Sequence, residues 1–145
     1  MNIWQFQTKL SKRLLWWGVG SMVGGLFLLR GNKFFKGVGW QFIGWGFINT
    51  LIALFGNASA NARLDNYDNP GKPDIQAKEA DNLQRLLWIN AALDVLYILG
   101  GKNWADKDKG DGSRAGHGLG IVLQGAFLLI FDILHALNTP KDQTK

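Results

Sequence analysis

The sequence predicts an all-α integral membrane protein, a four-helix bundle of two parallel two-helix hairpin repeats behind a short N-terminal amphipathic helix. The spacing of Lys and Arg is the first observation. There are 16 residues between Arg13 and Arg30, 26 between Lys36 and Arg63, 16 between Arg85 and Lys102, and 26 between Arg114 and Lys141. Asp94 interrupts the third stretch; Asp132 and, if protonated, His135 interrupt the fourth. Second, the charges crowd between these stretches: nine lie within residues 57–85 and seven within residues 102–114. Third, a motif recurs: Arg13-Leu14-Leu15-Trp16 reappears as Arg85-Leu86-Leu87-Trp88.

The averages conceal this pattern. The 145-residue chain is 47% hydrophobic and 19% charged, with net charge +5 and a mean hydropathy of -0.03. Those figures alone describe a small soluble domain, and a soluble four-helix bundle is the competing reading. A soluble helix needs a polar face, and residues 14–29 offer one Ser and four Gly. The length fits a single transmembrane domain over residues 1–145. No Cys is present, which excludes disulfides, thiolate metal sites and thiol nucleophiles, and two His make a multi-His metal centre implausible.

The elements follow in order. Ile3, Phe6 and Leu10 recur at helical spacing beside Trp4, which predicts a short helix lying at the membrane surface. The first transmembrane helix is expected at 14–31; Arg13 and Arg30 extend its reach by snorkelling to the headgroups. A signal peptide is disfavoured, because no small-x-small cleavage pattern follows. The second helix is expected at 36–56. A linker over 57–83 separates the halves, with turn chemistry at Asn69-Pro70-Gly71. The third helix is expected at 84–101, a polar loop at 102–116 and the fourth helix at 117–138.

The second helix of each half carries the repeat further. Gly37-x3-Gln41-x7-Asn49-x-Leu51 aligns with Gly120-x3-Gln124-x7-Asp132-x-Leu134. Each half has two helices, so the repeats run parallel, about an axis normal to the membrane. The positive-inside rule places both termini in the cytoplasm by nine basic residues against seven. Lys141 and Lys145 are among the nine.

Glycines mark expected helix contacts. Gly20 and Gly24 form a small-x3-small pair, as do Ser21 and Gly25 in the next register; Gly44 lies on the second helix and Gly125 on the fourth. Small residues let helix backbones approach in lipid. Two uses are open: packing within one chain, or a homodimer through the first helix.

The candidate site consists of polar residues inside apolar helices. Asn90, Asp94 and Tyr97 share a face at i, i+4 and i+7. Gln124, Asp132 and His135 share a stripe, and Gln41 and Asn49 share another. With ~1.5 Å of rise per residue, Asn49, Asp94 and Asp132 fall at similar depths of ~9, ~12 and ~8 Å. Ionisable groups at that depth are costly and usually face the bundle interior. Two nearby carboxylates need a shared proton, a cationic His135 or a bound cation.

Two readings remain. In the first, the polar cluster fixes helix register in a non-enzymatic structural or accessory protein. In the second, Asp94, Asp132 and His135 titrate in a small transporter or proton-handling protein, with Asn49 as partner and Gln41 and Gln124 as polar lining. No nucleophile–base pair or metal-ligand spacing supports an enzyme, and neither a cofactor nor a metal is expected. Asp106-Lys-Asp108-Lys-Gly-Asp111-Gly112 fails the calcium-loop pattern and reads as a solvated turn. The basic charge is split among short loops, which suits anionic lipid headgroups rather than nucleic acid. The expected partners are the bilayer and a second copy or a larger membrane complex.

At this point three motifs carry a resemblance. They are Gln41-Phe-Ile-Gly44-Trp45-Gly46-x-Ile48-Asn49, Asn90-x3-Asp94-Val-Leu-Tyr97, and Gly118-x-Gly120-x3-Gln124-Gly125-x-Phe127-x4-Asp132-x2-His135. With them the chain resembles a bacterial family of small four-helix membrane proteins with no assigned function. The resemblance implies a multi-pass protein of the bacterial cytoplasmic membrane and supplies no activity and no site.

Overall fold

A computed structural model describes residues 1–140. Its regular elements are four α-helices: α1 (Ile3–Leu28), α2 (Lys33–Asp65), α3 (Pro73–Ala105) and α4 (Ser113–Leu137). The fold is all-α. Helices α2, α3 and α4 are long and apolar enough to cross a membrane. Helix α1 is not among them; 15 uncharged residues lie between Arg13 and its end at Leu28. Lys141 and Lys145, which entered the expected orientation, lie outside the described residues.

The helices run further than the charge pattern suggests. The expected linker over 57–83 is mostly helix, and only residues 66–72 lie outside α2 and α3. The expected loop over 102–116 shrinks likewise to residues 106–112. At ~1.5 Å per residue, the 33 residues of α2 are about 50 Å long. That exceeds a hydrocarbon core of about 30 Å, so α2 and α3 project beyond any bilayer they cross.

Tertiary contact stabilises the projecting turns. Ile3, Trp4, Phe6 and Ala80 form a buried cluster, with Leu64, Tyr67, Ile75 and Leu83 packed around it. No separate surface helix exists, because residues 3–13 continue straight into the rest of α1. Their apolar face covers protein instead of lipid. Trp4 is buried, and its indole N–H donates to the Pro70 carbonyl at 3.1 Å. The start of α1 is sealed by a capping box between Asn2 and Gln5.

Glycines set the helix pairing. Helices α1 and α2 meet where Gly18 faces Gly46 and Gly25 faces Gly39, each glycine against the other's backbone. Helices α3 and α4 meet where Gly101 faces Gly118. Gly37 and Gly116 bring the N-terminal ends of α2 and α4 together, and Gly120 seats Gln41. A Cβ at Gly116 would collide with the Phe34 carbonyl.

Of the five glycines expected at contacts, Gly25 packs against Gly39, and Gly125 against Ile98 and the Asp94 carbonyl. Gly20, Gly24 and Gly44 face outward with nothing near them. The 3.6-residue period puts Gly18, Ser21 and Gly25 on the buried face of α1 and leaves Gly20 outside.

The 106–112 loop is built around a carboxylate. Asp108 accepts the backbone N–H groups of Gly110, Gly112 and Ala115. Gly110 and Gly112 have φ of 95° and 82°, left-handed values that favour glycine. The turn read as solvated from sequence is thus an ordered cap on α4. Beside it, Asp111 pairs with Lys33 at 3.2 Å.

Candidate functional site

Helices α1 and α4 are linked by side chains. Buried Gln124 accepts from the Trp17 indole at 3.0 Å and donates to Ser21 Oγ at 3.1 Å. Trp17 stacks on Phe127 with 3.5 Å between centroids. One level nearer the termini, Arg13 Nη1 donates to His135 Nε2 at 3.1 Å. Arginine has only donors, so Nε2 accepts and Nδ1 carries the proton, donating to the Phe131 carbonyl at 2.6 Å.

Three of the expected site residues are therefore engaged elsewhere. Gln124 and His135 turn to α1. Gln41 bonds His117 Nδ1 at 3.0 Å near the opposite end of the bundle. His135 in this tautomer is not the cation shared with the two carboxyls. Helix periodicity groups residues by face, but the partner on that face depends on which neighbour a side chain can reach.

The remaining five come together. Asn49, Asp94 and Asp132 are buried, and with Asn90 and Tyr97 they line a cavity of about 140 Å³. Leu14, Trp45, Ile48, Ile52 and Leu128 supply much of its apolar wall. The Tyr97 ring sits edge-on to Trp45 at 4.9 Å. Thus α2 contributes Asn49, α3 contributes Asn90 and Asp94, and α4 contributes Asp132.

Two buried polar atoms here lack a hydrogen-bond partner, Asn49 Nδ2 and Asp94 Oδ2. The Asp94 and Asp132 carboxyls lie within side-chain hydrogen-bonding contact. Contact between two carboxyls requires a proton or a cation between them. Buried polar groups are otherwise nearly always paired, so these two unpartnered atoms stand out beside the cavity.

Neighbouring cavities lie between this cavity and one end of the bundle. A second cavity of about 200 Å³ shares Leu14, Ile52, Asn90 and Asp132 with the first. A third, of about 310 Å³, shares Gln7, Arg63, Leu83 and Leu86 with the second. The series ends beside Arg63, whose Nε donates to buried Glu79 at 3.1 Å. Tyr67 Oη also donates to Glu79, and Arg63 Nη2 donates to Gln7. This end carries the start of α1 and the end of α4, since Phe6 packs against His135.

Sequence reasoning missed Arg13, Trp17 and Ser21 as the partners of the α4 stripe, and Arg63 and Glu79 as the lining of the last cavity. A usable signal was that Arg13 and Trp17, four apart, share one face of α1, and Gln124 and His135, eleven apart, share one face of α4.

Among the described residues, no group of three His, Asp or Glu is placed to hold a metal ion. The family of unknown function DUF6992 matches the chain over residues 13–133. That span contains every residue of the cavity. The chain matches no curated protein and no solved structure.

Proposed function

The chain belongs to DUF6992, a family of unknown function, and from that premise we propose a multi-pass membrane protein that binds and releases a proton or small cation at Asp94 and Asp132. The observation that carries this is the orphaned pair, Asn49 Nδ2 and Asp94 Oδ2, buried beside a cavity. A water or hydrated cation satisfies both atoms, and the carboxyl pair supplies the charge. The neighbouring cavities extend towards Arg63. The role is non-enzymatic.

Membrane insertion is supported by the outer surface. Trp16, Phe27, Phe55, Leu96 and Ile130 are each at least 60% exposed, and soluble proteins rarely display so much apolar area. Helix α1 lies at the same depth as α2, because Gly18 and Gly25 meet Gly46 and Gly39. It therefore enters with α2, and Arg13 and Arg30 reach the headgroups. The residues with positive charge near the termini favour cytoplasmic ends, and the resemblance favours a bacterial cytoplasmic membrane. Two hairpins, each closed by facing glycines, agree with a duplication.

The test is reconstitution into liposomes with an internal pH dye and an imposed pH or cation gradient. The parent protein is expected to carry flux, and Asp94→Asn and Asp132→Asn to abolish it while retaining helix content. A parent without flux, whose Asn variants lose only assembly, overturns the reading.

A second reading has its own observation. Gln124, Arg13 and His135 cross-link α1 to α4, and Gly20 and Gly24 face outward unoccupied. A structural or accessory protein, seating a second copy or a larger complex on α1, uses both features. Disulfide trapping at an introduced Gly20→Cys tests that face.

A further inference from the structure

A further cavity lies away from the acidic pair. It is a cleft of about 600 Å³ between the first three turns of α1 and the last turns of α2. Gln5, Thr8, Lys9 and Lys12 share one face of α1 and form its near wall; Asn61 and Leu64 form the far wall. Pro70 and Gly71 close its end.

Its chemistry has one sign. Lys9 and Lys12 are the only charged side chains in the lining, and no carboxylate is among them. Neither lysine makes an ion pair or side-chain hydrogen bond among the described residues, in contrast to Arg13, Arg63 and Lys33. The cleft also opens on the start of α1, with Asn2 in its wall. The start of α1 is already capped there, since Ile3 N–H donates to Gln76 and Gln5 N–H to Asn2, so the positive charge of the cleft rests on the two lysines. Asn61 adds a polar side chain with no hydrogen-bond partner among the described residues.

Its level points to the source of the anion. Lys12 precedes Arg13, where the charge-free stretch of α1 begins, and Lys9 lies about 4.5 Å further out. On α2, Gly56 lies opposite Ser11, and Phe55 beside it is exposed. The cleft therefore begins where the apolar outer surface ends, which is the headgroup layer of a bilayer. Basic side chains at that layer attract anionic lipid.

We propose that this cleft binds the phosphate-bearing headgroup of an anionic lipid, with Lys9 and Lys12 as the charge partners and Asn61 as a hydrogen-bond donor. The site is independent of the Asp94–Asp132 pair and stands if that reading falls.

The experiment uses the full chain in nanodiscs of phosphatidylglycerol and phosphatidylcholine, released into detergent and weighed by native mass spectrometry. Retained phosphatidylglycerol is expected, with no retained phosphatidylcholine. The double variant Lys9→Gln/Lys12→Gln is expected to lower retention at least tenfold. The control Lys107→Gln/Lys109→Gln, at the opposite end of the bundle, is expected to leave it unchanged. Both pairs are exposed, and circular dichroism verifies that each variant keeps its helices. Glycerol 3-phosphate is added as the free phosphate probe. If it alone binds with the same lysine dependence, the phosphate site stands and its source is a soluble phosphate. Retention that survives in the Lys9/Lys12 variant, or that falls equally in the control, overturns the proposal.

Discussion

The Trp17 indole N–H on α1 donates to the Gln124 side-chain oxygen on α4 at 3.0 Å, while the Gln124 amide donates to Ser21 on the same face of α1. One fully buried amide thus joins two helices that make little backbone contact. Gln124→Ala removes both bonds and leaves the indole without a partner. Its expected cost is about 1–2 kcal/mol, the upper part of the range for interhelical hydrogen bonds in membranes. Trp17→Phe removes one bond and should cost about half as much. Unfolding in mixed detergent and SDS measures both. Equal stability of parent and Gln124→Ala would show that the helices hold without the amide.

The two classes of glycine on α1 should separate cleanly. A Cβ at Gly18 would stand 2.7 Å from the Gly46 carbonyl, and one at Gly25 would stand 2.6 Å from the Gly39 carbonyl. Backbone cannot yield as a side-chain tip does, so Gly18→Ala and Gly25→Ala should each destabilise by about 1–3 kcal/mol. Gly20→Ala and Gly24→Ala meet open space and should leave monomer stability unchanged. The same detergent unfolding series reads all four variants.

Asp108 gives the 106–112 loop a pH dependence. Backbone N–H donation from Ala115 and then Gly110 holds its carboxyl below the usual carboxylate range. The folded state therefore favours the charged form. Its contribution is complete above the ordinary Asp value and is lost as pH falls through the lowered one. Acidification from pH 7 to pH 3 should lower the protection factors, the exchange rates corrected for their intrinsic pH dependence, at Gly110, Gly112 and Ala115. Asp108→Asn should show faster exchange already at pH 7 and a smaller further change on acidification.

Glu79 is buried, and its acceptor oxygens are taken by Arg63 and Tyr67. Glu79→Ala should destabilise the projecting ends of α2 and α3 by about 2 kcal/mol, in the range for hydrogen bonds to a charged group. Arg63 is 44% exposed on its side chain, so water can solvate it when the partner is lost, which keeps the cost from rising further. Tyr67→Phe should cost about 1 kcal/mol. Thermal unfolding and a double-mutant cycle measure the two terms. A cost near zero for Glu79→Ala would show the pair to be fully solvent-screened.

Much of the fold is legible in the spacing of charge. The apolar stretches around Gly18, Asn49, Asp94 and Asp132 each lie within a helix. The helix ends are less legible. Arg63, Asp65, Asp74, Lys78 and Glu79 suggest a linker, yet they lie on helical turns whose other face covers Ile3, Trp4 and Phe6. A polar composition marks contact with water and does not by itself end a helix. Asn49, Asp94 and Asp132 are legible as a level, because rise per residue and helix period are constants of the backbone.

The sequence by itself determined the all-α class, the apolar stretches and the common level of Asn49, Asp94 and Asp132, because each follows from helical geometry along one chain. Tertiary structure decided the partners. It turned Gln124 and His135 towards Trp17 and Arg13, took Gln41 to His117, and set Gly18 and Gly25 rather than Gly20 and Gly24 against α2. It also left Asn49 and Asp94 unpartnered beside a cavity. Those outcomes depend on crossing angle and side-chain reach between helices, which no period along a single helix contains.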